Sequence, residues 1–105
     1  MLHQDVITEA TRRLVSGFSP ERIILFGSLA RGEADERSDA DILVITKFRG
    51  KRRTLMLEMD RSLRGLDLAR DIIVLTPEEF ERDRDIPGTI AGPAAREGKI
   101  LYERQ

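Results

Sequence analysis

Apolar residues recur along this chain with two different periods. In residues 4–16, Val6, Ile7, Ala10, Leu14 and Val15 fall at helical spacing. Gly17 is the expected stop, because glycine tolerates the left-handed turn after a helix. Residues 23–26, Ile-Ile-Leu-Phe, read as a first strand. Ser28 to Arg31 reads as one short helical turn, Gly32 to Ser38 as a polar loop, and residues 40–46 as a second strand. Residues 52–65 read as a helix with Leu55, Met56, Met59, Leu63 and Leu66 along one stripe. A third strand follows at residues 71–75. Thr76-Pro77-Glu78-Glu79 then supplies a Thr cap, a Pro at the first helical position and a Glu at the third, opening a helix that runs to Arg84. Pro87-Gly88 breaks the chain. A shorter helix covers residues 89–97, with Gly92-Pro93 as the point where it kinks or restarts. Gly98 stops it, and Lys99 to Tyr102 is a short fourth strand.

This order predicts one α/β (α+β) domain over residues 1–105. Its sheet is small and mixed, with about four strands and helices mainly on one face. The second and third runs are nearly all apolar, which implies a sheet covered on much of both faces. One layer of helices covers one side. The other side holds Asp39 and Asp41, with Leu43 and Ile45 further along. Asp71, Ile73 and Leu75 join them if the second and third strands are neighbours. Either the chain folds something over these apolar residues or a partner does, as a homo- or hetero-oligomer through the sheet face.

Composition narrows the function. With 18 basic and 19 acidic residues, the net charge of -1 gives no whole-molecule pull toward nucleic acid or membrane. Any electrostatic site is therefore local, and no direct nucleic-acid binding is expected. The chain has no cysteine, which excludes a disulfide scaffold, thiolate–zinc sites and a thiol nucleophile. No run approaches a membrane span and the N-terminus lacks a signal-peptide pattern, so a cytoplasmic location is expected. His3, the only histidine, sits near the terminus, which weakens any reading that needs a histidine base or a His-rich metal site.

The chemistry concentrates in Gly27-Ser28, ten residues, then Asp39-Ala40-Asp41. Residues two apart on a strand share a face, so Asp39 and Asp41 project together. Two such carboxylates repel unless a cation lies between them. Magnesium favours a few carboxylates plus substrate phosphates over a closed protein cage. Asp71, opening the third strand, can join this cluster if the strands are neighbours. Three carboxylates could hold two metal ions, and Asp71 could also take a proton from an attacking oxygen. Gly27 permits a tight turn, and Ser28 sits where free N–H groups and a hydroxyl can meet phosphate. A single aspartate at a strand opening is ordinarily a turn or cap residue. The pair behind Gly-Ser is what lifts the site above that reading. Arg31 either reaches the triphosphate or pairs with a carboxylate. Lys47, Arg49, Lys51, Arg52 and Arg53 form the one dense basic cluster, either a solvated face or a contact for phosphates or an acidic partner.

The motif of Gly27-Ser28 and Asp39-x-Asp41 between apolar strands resembles the nucleotidyltransferase superfamily related to DNA polymerase beta. The short length resembles its minimal members, in particular the antitoxin half of HEPN/MNT toxin–antitoxin pairs. Leu-Ala-Arg-Gly at 29–32, Asp71, and Arg-Glu-Gly-Lys-Ile-Leu-Tyr-Glu at 96–103 extend the resemblance over essentially the whole chain. The resemblance implies that Gly27 and Ser28 bind nucleotide phosphates and that Asp39 and Asp41 hold magnesium. Asp71 would complete the metal site and serve as base. It further implies ATP as substrate and transfer of AMP to a tyrosine of a HEPN RNase toxin, silencing it. Two other outcomes stay open. One is a binding module that neutralises its partner by complex formation. The other is an enzyme that modifies a small molecule or an RNA end.

Overall fold

The structure, a computed structural model, describes residues 3–27, 30 and 39–105. The first helix, α1 (His3–Phe18), buries Val6, Ala10 and Leu14 against the sheet. It runs through Gly17, which was expected to end it. The left-handed residue is instead Ser19, with φ 46°, whose N–H donates to the Val15 carbonyl at 3.0 Å. The Arg104 guanidinium donates to the Ser19 carbonyl, so a contact from the far end of the chain holds this turn.

Four strands follow the expected runs: β1 (Arg22–Phe26), β2 (Ala40–Ile45), β3 (Arg70–Leu75) and β4 (Lys99–Glu103). The sheet order is β3-β2-β1-β4, with β1 antiparallel to both β2 and β4 and β2 parallel to β3. A parallel pair needs a crossover, and α2 (Arg52–Ser62) provides it. This helix is shorter than expected. Leu63 to Gly65 form a turn in which Gly65 takes φ 90°, a conformation that favours glycine. The β1–β4 register shifts between Ile23 and Ile24, which face Tyr102 and Ile100 and leave Leu101 unmatched.

The two long helices, α1 and α2, lie on one face, where Met59 and Leu63 pack with Ile23, Ile42, Val44 and Val74. Two short helices, α3 (Pro77–Asp83) and α4 (Ala91–Glu97), lie on the other. Phe80, Ala91 and Ala94 cover Ile24, Leu43 and Ile45. The chain itself therefore covers the apolar residues that share a face with the aspartates. The Arg22 and Arg84 guanidinium carbons lie 5.7 and 5.4 Å from the Phe80 ring centre. No helix among the described residues is long and apolar enough to cross a membrane.

The start of α3 is as expected. Glu79 N–H donates to Thr76 Oγ1 at 3.1 Å, and Thr76 N–H donates to Glu79 Oε1 at 2.8 Å, with Pro77 at the first helical position. Arg52 donates to the second Glu79 oxygen at 2.7 Å, tying α2 to α3. Helix α4 opens at Ala91, later than expected. Gly92 and Pro93 lie in its first turn, where proline removes no helical hydrogen bond. Gly98 ends it with extended backbone (φ -73°, ψ 159°), so glycine is needed here for space alone. A Cβ on Gly98 would lie 2.5 Å from the Ala94 carbonyl oxygen and 3.1 Å from that of Leu25.

Two outcomes follow from these contacts. Gly98→Ala forces α4 off β1 and should cost about 1–3 kcal/mol. At roughly 4–8 °C per kcal/mol, calorimetry should show a lowered Tm, and an unchanged Tm contradicts the packing. The Glu79 carboxyl is held below its ordinary value of 4.5, first by the Thr76 N–H and then by Arg52. A carboxyl with a lowered folded pKa stabilises at neutral pH and loses that contribution as pH falls through the folded value. Glu79→Gln keeps the capping-box hydrogen bond but removes the charge, and should therefore cost about 0.3–1 kcal/mol at neutral pH in urea denaturation. The gap to wild type should close as pH falls below 4.5.

Candidate functional site

The β1–β2 register sets Phe26 opposite Asp41, and the next residue, Gly27, leaves the strand with φ 79°. A Cβ on Gly27 would fall on the Asp41 carboxylate, 3.2 Å from its Cγ. The Asp41 carboxylate thus occupies the space a Cβ at residue 27 would need, and the positive φ independently favours glycine there. Across the next ladder, Asp41 pairs in parallel register with Asp71. Directly paired residues point to the same face, so the second carboxylate sits beside the first.

Ala40 explains why this face carries the acids. It is fully buried on the α1–α2 side, and its N–H donates to the Ala69 carbonyl at 2.8 Å. A slip of one residue would drive an aspartate into the core in its place. Asp39 precedes β2 by one residue and is exposed, Asp41 is half-buried and Asp71 is exposed. Behind them on the same face lie Leu43 and Ile73, an apolar floor that continues under α3 and α4.

The structure brings Gly27, Asp41 and Asp71 to one end of the sheet, with Asp39 next to them along the chain. Ser28 and Arg31 lie outside the described residues. Among the described residues, no three His, Cys, Asp or Glu side chains are gathered into a group that could hold a metal. The donor set is nonetheless all carboxylate, the chemistry that suits a hard divalent cation.

The basic cluster divides. Arg52 pairs with Glu79 and its guanidinium carbon lies 5.5 Å from the Phe48 ring centre, so it is structural. Arg53 lies instead beside a groove that reaches Asp71. Sequence reasoning did not single out Arg70. Its guanidinium donates to Asp60 Oδ1 at 2.9 Å and to the carbonyls of Leu68 (3.1 Å) and Asp60 (3.0 Å), anchoring the start of β3 next to Asp71. Only the strand order reveals that role.

The Gly27–Asp41 contact predicts a coupling. Gly27→Ala carries a conformational cost of about 1–2 kcal/mol from its positive φ, plus a steric cost against Asp41. Replacing Asp41 with Ala removes the second part. A double-mutant cycle by urea denaturation should give a coupling of about 0.5–3 kcal/mol, and simple additivity contradicts the contact.

The family model described as "Nucleotidyltransferase domain" matches residues 6–100. A curated protein of Methanocaldococcus jannaschii, named "Putative protein adenylyltransferase MJ0141", is 59% identical over 27 residues, covering 26% of this chain and 27% of that protein. The matched stretch is therefore about a quarter of that relative's length. Among solved structures, a "putative nucleotidyltransferase" from Sulfolobus solfataricus superposes with TM-score 0.66 at 26% identity, covering 95% of this chain and 79% of that one. A chain in the structure of a tri-AMPylated Shewanella oneidensis HEPN toxin with MNT antitoxin superposes with TM-score 0.60 at 20% identity, covering 99% of this chain and 75% of that one. The last likeness is one of fold.

Proposed function

The chain belongs to the nucleotidyltransferase domain family, and on that premise we propose that it transfers AMP from ATP to a tyrosine hydroxyl of a HEPN-type toxin, acting as its antitoxin. The observation that carries this reading is the parallel register of Asp41 with Asp71 beside the Gly27 turn. It sets two carboxylates next to a glycine backbone that a triphosphate can approach closely. The AMPylated toxin in the Shewanella oneidensis complex supports the acceptor class, and the name of the Methanocaldococcus jannaschii relative supports AMP as the group moved.

In this reading Gly27 and Ser28 receive the phosphates, with Arg31 reaching the same groups. Asp39, Asp41 and Asp71 would hold magnesium, two ions with the nucleotide in place, which neutralises phosphate charge when bound. The acceptor hydroxyl oxygen attacks the α-phosphorus of ATP. A new O–P bond forms, the bond to the β-phosphate bridge breaks, and pyrophosphate leaves with that electron pair. Asp71 takes the hydroxyl proton. The exposed position of Asp71 on an outer strand leaves room for an acceptor brought by another protein.

The test is intact-mass analysis of the chain co-expressed with the protein encoded beside it. Wild type should add AMP-sized increments to the partner. Asp39→Asn and Asp41→Asn should lower that addition by about a hundredfold or more with the fold intact by circular dichroism. Full retention in either variant removes the catalytic assignment. A partner neutralised equally by wild type and variants, with no mass change, points to inhibition by binding alone.

A further inference from the structure

Strand β3 is an outer strand, hydrogen-bonded among the described residues only to β2. The ladder bonds from Ala40 N–H to Ala69 and from Thr46 N–H to Leu75 fix its phase. In a parallel ladder this phase turns the N–H and C=O groups of Asp71 and Ile73 toward β2. Those of Arg70, Ile72 and Val74 then point away from the sheet. A groove of about 350 Å³ runs along this open edge beneath α2, lined by Arg53, Leu57, Asp60, Arg70, Asp71 and Ile72 among others. Leu57 is 50% exposed there.

Charge along the groove is uneven. Asp60 is paired with Arg70 at 2.9 Å and Arg52 with Glu79 at 2.7 Å. Among the described residues no ion pair engages Lys47, Arg49, Lys51 or Arg53. The Asp71 end therefore carries an exposed carboxylate, and the end near the start of α2 carries uncompensated cations.

We propose that this edge docks the acceptor segment of the modified protein as an added antiparallel strand, with acidic side chains over Arg53 and the acceptor tyrosine opposite Asp71. The inference rests on the transfer reading above and names the surface that serves it. Register decides the arrangement. A residue opposite Asp71 sits between outward-bonding neighbours, in the closer non-hydrogen-bonded type of pair. Its side chain falls on the face of Asp41 and Asp71. Residues opposite Ile72 and Val74 fall on the α2 face, toward Arg53. The segment that fits has acids one and three residues before the tyrosine. Backbone bonds supply affinity and the alternating pockets supply selection.

The probe is the peptide acetyl-Thr-Glu-Val-Glu-Tyr-amide, with acetyl-Thr-Lys-Val-Lys-Tyr-amide as its charge-reversed control. Titration of the full chain, followed by backbone amide NMR, should shift Arg70, Ile72, Val74 and Arg53. The acidic peptide should bind about tenfold more tightly than the control, and Arg53→Glu should reverse that order. Shifts elsewhere, no shifts at millimolar peptide, or an order unchanged by Arg53→Glu overturn the docking site. Mass analysis of the same peptide with ATP and magnesium separates the two claims. Edge binding without AMP addition retains the docking surface and counts against transfer. AMP addition with shifts elsewhere retains transfer and removes the docking surface.

Discussion

The parallel register between β2 and β3 decides where every acidic side chain of this end of the sheet can go. It is set by burial. Ala40, Ile42 and Val44 of β2 and Ile72 and Val74 of β3 all enter the core under α1 and α2. Strand side chains alternate, so this apolar set leaves Asp41 and Asp71 no choice of face. The same alternation places Leu43, Ile45, Ile73 and Leu75 beside them, which obliges the chain to supply α3 and α4. The carboxylates then sit where this second layer ends. The hydrophobic effect thus positions the acids, and their mutual repulsion is the cost that a bound cation would offset.

Much of this was readable in advance, for reasons of pattern. The four apolar runs became four strands because their boundaries are turn residues. The Thr76–Glu79 start of α3 was readable because a capping box is local chemistry. Gly17 misled because a glycine can end a helix without having to. The decision went to Ser19, which is tied by Arg104 at the other end of the chain, a contact no local pattern contains. The opening of α4 shifted through a nearer contact. The Thr89 hydroxyl accepts from Gly92 N–H at 3.2 Å and donates to the Asp83 carbonyl at 2.9 Å, which places the first turn at Ala91.

The site was partly legible too. The i, i+2 spacing suggested that Asp39 and Asp41 project together, but Asp39 lies one residue before β2, and Asp71 could be joined to Asp41 only conditionally. That step needs the strand order, which is a tertiary fact. The contact of Gly27 with the Asp41 carboxylate was also beyond the sequence, since a glycine after a strand signals a turn and not what lies against it. Arg70 and Arg53 show the reverse case. Arg70 was not singled out, and Arg53 was read within a basic cluster as either a solvated face or a contact for phosphates or an acidic partner; the strand order is what puts both beside the β3 edge.

In the proposed function the Gly27 turn and the three aspartates act as one nucleotide-and-metal site. Amide NMR of the chain with a non-hydrolysable ATP analogue and manganese tests it most directly, because a paramagnetic ion broadens only the residues near it. Joint broadening is expected at Gly27, Asp39, Asp41 and Asp71, reversed by excess magnesium and lost in Asp41→Asn. Broadening centred elsewhere, or unchanged in that variant, would contradict it.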